Sequence, residues 1–312
     1  MIRWKVIEPL LGRWPPTDRS PIPPVTMPAF ARNGQAGLTV TWFGHATALL
    51  QLDGLNLLTD PIWSERASPV RFAGPRRLVP PPVSLDALPP LDAVLLSHNH
   101  YDHLDRETVT ALSRLHPAVP WIAPLGLAPL LRSFGVREVR ELDWWGETEL
   151  GGLTIAATPA QHFSARGPFD RNLSLWCGFA VRSAGWRVYF AGDTGFHPEF
   201  PAIGQRYGPF DLALIPIGAY DPRWFMRPVH LDADEAVQVA LDLRAAHPSH
   251  PGGAVVPIHW GTFKLTDEPL NEPPRRALEA WSRAGLDRDQ LWLLKHGETR
   301  GLPLTSRLKS KS

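Results

Sequence analysis

The residues best equipped for chemistry stand in one short run, Ser97-His98-Asn99-His100-Tyr101-Asp102-His103-Leu104-Asp105. His98 and His100 are two apart, so in extended backbone their rings share a face. Asp102 and His103 follow as the chain turns toward a helix. This gives four nitrogen and oxygen donors within six residues and no thiolate. Such a set suits borderline or hard divalent cations such as zinc, manganese or iron. A polar surface loop is the plainer reading of a His-x-His pair. It does not account for His-x-His-x-Asp-His placed directly after the apolar run DAVLLSH.

One segment cannot fill two metal shells. The remaining donors are expected at other strand ends, where loops meet over a rigid sheet. His162 lies in TPAQHFSAR, just past an apolar run. Asp193 lies in YFAGDTG, before a glycine turn, and His259 closes VVPIH. Each alone is as readily explained by hydrogen-bonded packing. Together with the first motif they make seven donors from four strand ends, enough for a pair of ions.

The elements that must position these donors are mostly short β-type runs. Strands are expected over 38–43, 47–52 and 55–60, with Asp53-Gly54 as a hairpin turn. Further strands are expected over 92–98, 120–124, 153–159, 173–181, 186–193, 211–218 and 253–259. Helices are expected over 105–115, where acidic residues come early, and near 124–134, 198–207, 232–246 and 273–284. This mixture implies two packed sheets with helices outside. Residues 1–37, rich in proline and holding Trp4 and Trp14, read as an arm wrapping the domain. Residues 38–300 form the domain, and 301–312 a basic, solvated tail.

Composition excludes several classes. The chain has 312 residues, of which 44% are hydrophobic and 20% charged, so bulk disorder is ruled out. Thirty-two basic against 31 acidic residues leave no broad field for nucleic acid. One cysteine, Cys177, permits neither an internal disulfide nor a cysteine-built zinc site. It reads as mid-strand and away from every candidate ligand. No run approaches the roughly 18 apolar residues of a membrane span, and the start lacks a signal-peptide core. The expected location is cytoplasmic or peripheral at a membrane surface. His116, His197, His247, His250 and His296 take ordinary structural readings.

The motif from His98 to His103, with His162, the Gly-Asp-Thr-Gly around Asp193 and His259, resembles the metallo-β-lactamase superfamily. TWFGHAT, LTDPIWSERASP, ELDWW, FAGDTGF, GPFDLALIPIGAYDPRWFM and IHWGTF are similar to one branch of it. That branch is the N-acylphosphatidylethanolamine-hydrolysing phospholipase D with its bacterial relatives. The resemblance runs from about Thr39 to about Thr299.

It implies an α/β fold of the four-layer αββα type, two mixed sheets with helices on the outer faces and ligands along one edge. It implies two divalent ions, zinc foremost. His98, His100 and His162 would hold one; Asp102, His103 and His259 the other; Asp193 would bridge. Asp60 would stand behind the ligands and orient them, while His45, just past a strand, is placed either to approach the ions or to brace the His98 loop by a hydrogen bond. Tyr101 and His230 would contact the phospholipid, and His230 is a candidate proton donor to the leaving alcohol. Water is then the nucleophile, so neither serine nor cysteine is needed. PRWFM (222–226) and the arm's tryptophans are candidates to line an acyl channel.

The implied reaction is phospholipase D-type cleavage of N-acylphosphatidylethanolamine to N-acylethanolamine and phosphatidic acid. The alternatives are a metal-dependent hydrolase of a lactone, sugar phosphate or soluble phosphodiester, and a non-catalytic metal-binding protein. The expected partner is a phospholipid or other small ester, without nucleic acid. Peripheral membrane contact and a homodimer are compatible with the sequence.

Overall fold

Alternation along the central strands already dictates two buried faces for each sheet. In the strand Ala93–Leu95, Leu95 points one way while Val94 and the following Leu96 point the other. In Leu212–Pro216, Leu212 and Leu214 face one layer and Ala213 and Ile215 another. A computed structural model describes residues 23–31 and 37–302. Trp4, Trp14 and the tail beyond Leu302 lie outside the described residues, and with them most of the expected arm.

Among the described residues, thirteen strands form two sheets. The first has the order β13-β1-β2-β3-β4-β5-β6. Its strands are β1 (Leu38–Gly44), β2 (Thr47–Leu52), β3 (Leu55–Thr59), β4 (Ala93–Leu95), β5 (Trp121–Pro124), β6 (Val139–Leu142) and β13 (Thr299–Leu302). The second has the order β12-β11-β10-β9-β8-β7. It comprises β7 (Glu147–Leu150), β8 (Leu153–Thr158), β9 (Gly178–Arg182), β10 (Arg187–Phe190), β11 (Leu212–Pro216) and β12 (Ala254–Ile258). Both sheets are mixed. β3 to β6 run parallel while β13, β1, β2 and β3 pair antiparallel. β10 to β12 run parallel while β7 to β10 pair antiparallel.

Three apolar layers hold the sandwich together. Trp42, Leu50, Leu95, Phe179, Phe190, Leu214 and Val256 fill the space between the sheets. α1 (Arg106–Leu115) and α2 (Ala128–Ser133) cover the first sheet through Val109, Leu112 and Leu131 against Leu49, Leu58 and Trp121. α3 (Phe200–Tyr207), α5 (Ala233–Arg244) and α6 (Glu272–Arg283) cover the second, with Ile203, Val239 and Trp281 against Tyr189 and Ile215. The four-layer αββα arrangement follows. α4 (Arg223–Met226) is a single turn on the loop after β11. α5 starts at Asp232, whose carboxylate accepts from Glu235 N while the Glu235 side chain accepts from Asp232 N, a capping box.

Several expected boundaries move. Residues 173–177 are loop, and β9 begins only at Gly178. Cys177 is therefore not mid-strand, nor is it remote from the ligands. Its N donates to Ser97 O at 3.0 Å. Burial, with Asp60 nearby, raises its thiol pKa well above the ordinary value. α2 starts only at Ala128, after a turn in which Gly126 takes a φ of 88°. Asp53 and Gly54 both have positive φ, as the β2–β3 hairpin requires. From the expected arm, residues 24–31 lie along the domain. Thr26 N donates to His296 O at 2.8 Å, and Ala31 N to Gln51 Oε1 at 2.8 Å.

Strand direction explains the position of the site. β1, β3 and β4 point the same way in the first sheet, as β8, β10 and β12 do in the second. Their carboxyl ends share one edge of the sandwich, and from it emerge His45, Asp60, His98, His162, Asp193 and His259.

Candidate metal centre

All seven sequence-predicted ligands converge at this edge. His98 Nε2 lies 2.9 Å from His100 Nδ1, and His162 Nε2 lies 3.1 Å from the same atom. These three nitrogens form one donor group. Asp102, His103 and His259 form a second, joined by His45. Asp102 Oδ2 is 3.4 Å from His103 Nε2 and 3.5 Å from His259 Nε2.

Asp193 stands between the two groups. Its Oδ2 is 3.1 Å from both His103 Nε2 and His259 Nε2. The same atom is 3.9 Å from His98 Nε2 and 3.8 Å from His162 Nε2. Gly192 lets the chain turn here: its φ is +61°, and a Cβ would stand 2.7 Å from Ser97 Cβ. His45, Asp60 and His259 have φ of 54°, 33° and 62°. Left-handed backbone at a non-glycine residue costs about 1–2 kcal/mol, and here three such residues border one site.

Behind the ligands stands fully buried Asp60. It accepts from Ser97 N (2.7 Å), Ser97 Oγ (2.5 Å) and His103 Nδ1 (2.7 Å). Ser97 Oγ in turn lies 2.9 Å from His98 Nδ1. With Oγ donating to Asp60, His98 Nδ1 must carry the proton and Nε2 is left free. The same logic leaves His103 Nε2 free. These contacts fix two tautomers in the form a cation needs. His45 Nε2 is 2.9 Å from Asp102 Oδ2, so it braces the His98–His103 loop through one of that loop's own carboxylates. The His45 N donates to Thr262 Oγ1 at 2.7 Å, and its carbonyl accepts from His259 N at 2.9 Å.

The electrostatics agree with a cation-binding role. Burial, with neighbouring imidazoles, keeps His98 well below the ordinary histidine pKa and brings His100 and His45 down to about 3. These rings are neutral and able to coordinate. Burial opposes the charge on Asp102 and Asp193, yet His103 and His259 hold both carboxyls well below the usual range. Burial likewise disfavours charge on His103 and His259, but Asp193 and Asp102 overcome it. His103 is raised well above the ordinary value and His259 to about 9. Protons on those two rings occupy the place of cations, which would displace them. Asp193 Oδ1 and the Nε2 atoms of His103 and His259 are buried without a hydrogen-bond partner. Orphaned donors of this kind, all nitrogen or oxygen, fit two divalent ions.

His230 joins the cluster as well. Its Nδ1 is 4.0 Å from Asp193 Oδ2, buried and without a hydrogen-bond partner, and its ring lies 5.1 Å from His162. It does not cap α5, since Asp232 does. Burial lowers its pKa well below the ordinary value.

Tyr101 is placed differently. Its hydroxyl donates to Arg166 O at 3.0 Å and its ring lies under the Arg166 guanidinium. It lines a cavity of about 890 Å³ whose walls include none of the seven ligands. In PRWFM, Trp224 is 78% exposed and Met226 is buried.

Sequence reading passed over Ser97, Thr262, His296 and Arg166 as site residues. Ser97, Arg166 and Thr262 lie within a few residues of His98, His162 and His259 in the chain. His296 is fully buried, with Nε2 2.9 Å from Thr262 Oγ1.

Comparison with known proteins places the chain in a family. A family model described as a beta-lactamase superfamily domain matches residues 55–260. An uncharacterized protein of Mycobacterium tuberculosis is 47% identical over 259 residues, 82% of this chain and 68% of that protein. The N-acyl-phosphatidylethanolamine-hydrolyzing phospholipase D 1 of Caenorhabditis elegans is 42% identical over 280 residues, 83% of this chain and 77% of that one. The solved structure of Igni18, a metallo hydrolase from Ignicoccus hospitalis, shares the fold with a TM-score of 0.63 at 24% identity, covering 86% of this chain and 99% of its own. With its family match, its relatives and its converging donor groups, this chain belongs to the beta-lactamase superfamily and is a metal-dependent hydrolase of the metallo-β-lactamase fold.

Proposed function

We propose that the chain is a dinuclear phosphodiesterase of the phospholipase D type, releasing N-acylethanolamine and phosphatidic acid from N-acylphosphatidylethanolamine. The observation that carries this reading is the placement of Asp193 between two histidine-rich donor groups, with His230 beside them. The substrate class is supported by the Caenorhabditis elegans relative, which is named for that reaction.

In this reading His98, His100 and His162 would hold one ion and Asp102, His103 and His259 the other, with Asp193 shared between the two groups. Zinc suits the imidazole-rich set. When bound, such a pair supplies Lewis acidity toward a phosphoryl oxygen and a water of near-neutral pKa. The chain's own residues do the rest. Asp60 and Ser97 hold His103 and His98 in coordinating tautomers. His45 braces Asp102. His230, with Nδ1 unpartnered and its ring kept neutral by burial, binds the reacting phosphodiester by a hydrogen bond rather than supplying the proton to the leaving oxygen. Cys177 is buried with a raised pKa and takes no part as nucleophile.

Contact with a lipid surface is supported by the rim of the site. Phe72, Phe169, Leu173 and Trp224 are each at least 74% exposed. They sit on loops that leave β3, β8 and β11 at the ligand edge. Large apolar side chains so exposed are suited to a lipid surface. The test is a hydrolysis screen of metal-analysed protein on N-acylphosphatidylethanolamine, phosphatidylcholine, a lactone panel and short RNA. Preferential release of N-acylethanolamine with phosphatidic acid is expected. Turnover of lactone or RNA without lipid cleavage refutes the proposal.

A further inference from the structure

One side chain from the second sheet's loops closes the metal-binding loop from behind. Arg166 lies four residues past His162. Its Nη1 donates to Asn99 O at 2.7 Å and to Leu104 O at 2.8 Å. Those two carbonyls bracket the segment that carries His100, Asp102 and His103. The guanidinium also lies over the Tyr101 ring, 3.9 Å from its centroid, and the Tyr101 hydroxyl donates back to Arg166 O at 3.0 Å.

Neighbouring contacts make the link rigid. Ala165 N donates to Asn99 Oδ1 at 2.9 Å. Asp170 fixes the turn beneath, accepting from Arg166 N at 3.0 Å and Gly167 N at 2.7 Å. Within the loop, Leu104 N donates to His100 O at 2.8 Å, so the two ends of the segment also bear on each other. The loop's carboxyl end runs straight into Asp105, the N-cap of α1. Between Asn99 and Leu104, then, the backbone is held by one charged group that bonds both ends and stacks on the middle. A planar guanidinium can do both; an ammonium can bond the carbonyls but cannot stack in the same way. The structure also gives Tyr101 work that needs no substrate, as the lower plate of this clamp.

We propose that Arg166 is a positioning residue that sets the geometry of the His98–His103 loop and thereby the affinity of the metal centre. The inference rests on the metal reading above. Groups that orient metal ligands through one intermediate typically change affinity by about 10- to 100-fold when removed.

The test compares full-length wild type with Arg166→Met and Arg166→Lys. Zinc affinity of each folded protein is measured by chelator competition, beside thermal melting of the metal-free form. Arg166→Met keeps the apolar stem and loses the donors, and its zinc dissociation constant should rise by about 10- to 100-fold. Arg166→Lys, which retains a donor and the charge, should fall between Met and wild type. If Arg166→Met does not fold, the lysine variant decides: weaker zinc binding supports the clamp and wild-type affinity overturns it. A lowered melting temperature with unchanged zinc affinity in both variants assigns Arg166 to stability alone and overturns the proposal. Wild type that binds no zinc, manganese or iron sinks the metal reading itself, an outcome separate from equal binding by all three proteins.

Discussion

Asp60 Oδ2 and His103 Nδ1 lie 2.7 Å apart with both side chains fully buried. The contact joins the end of β3 to the loop after β4, and it leaves the other ring nitrogen of His103 facing Asp193. Both Asp60 oxygens accept only from donors. An amide in this position offers one acceptor and must turn its N–H bonds toward donors. Asp60→Asn should therefore weaken metal binding by about 10- to 100-fold, read by chelator competition. An unchanged dissociation constant would mean that His103 does not need this orientation.

Asp193→Asn removes the negative charge between the two donor groups. The variant should fold, because its neighbours are ligands rather than core. It should lose activity by about a hundredfold or more, some 2.7 kcal/mol of transition-state stabilisation. Circular dichroism, metal analysis and turnover on one sample check this. Near-normal turnover with both ions retained removes Asp193 from the bridging role.

His230→Ala separates substrate contact from metal holding. The seven proposed ligands do not include His230, so metal content should be unchanged. Loss of a hydrogen bond to a charged phosphodiester costs about 1.5–3 kcal/mol, roughly ten- to a hundredfold in kcat/KM. Thermal melting should move little, because Asp232 and not His230 caps α5. Lower stability with unchanged kinetics of the folded fraction contradicts the assignment.

His296 gives a pH prediction. Its ring is 4.5 Å from that of Trp42, and burial, with Arg77 nearby, lowers its pKa to about 3. Unfolded, it takes up a proton below about 6.5. Between those values the unfolded state binds the extra proton, so stability falls as pH falls. Denaturant melts between pH 7 and 4 should show a shallower decline for His296→Gln than for wild type, by about one proton in the linkage slope. Parallel curves would mean that His296 is protonated in the fold.

The apolar strands were legible because alternation and turn residues mark them: β1 to β3, β10, β11 and β12 fall where expected. The strands β6, β7 and β13 were not. VREL, ETEL and TRGL are edge or near-edge segments, mostly part-exposed and polar, and only their neighbours make them strands. The donor residues stood out through spacing within one loop and apolar runs before the others. What supports them did not. Asp60 and His103 are 43 positions apart and meet only once β3 pairs with β4, while Arg166 and Asn99, 67 apart, meet only once the two sheets are stacked. Tyr101 shows the opposite case: it lies inside the motif, yet its side chain turns away to Arg166.

A pair of ions held by Asp193 and its neighbours requires two metals per chain. Protein stripped with chelator and titrated with zinc should regain activity up to two equivalents per chain and no further, with elemental analysis of the active form giving two ions. Full activity at one ion per chain, or in protein that holds none, would rule out a dinuclear centre.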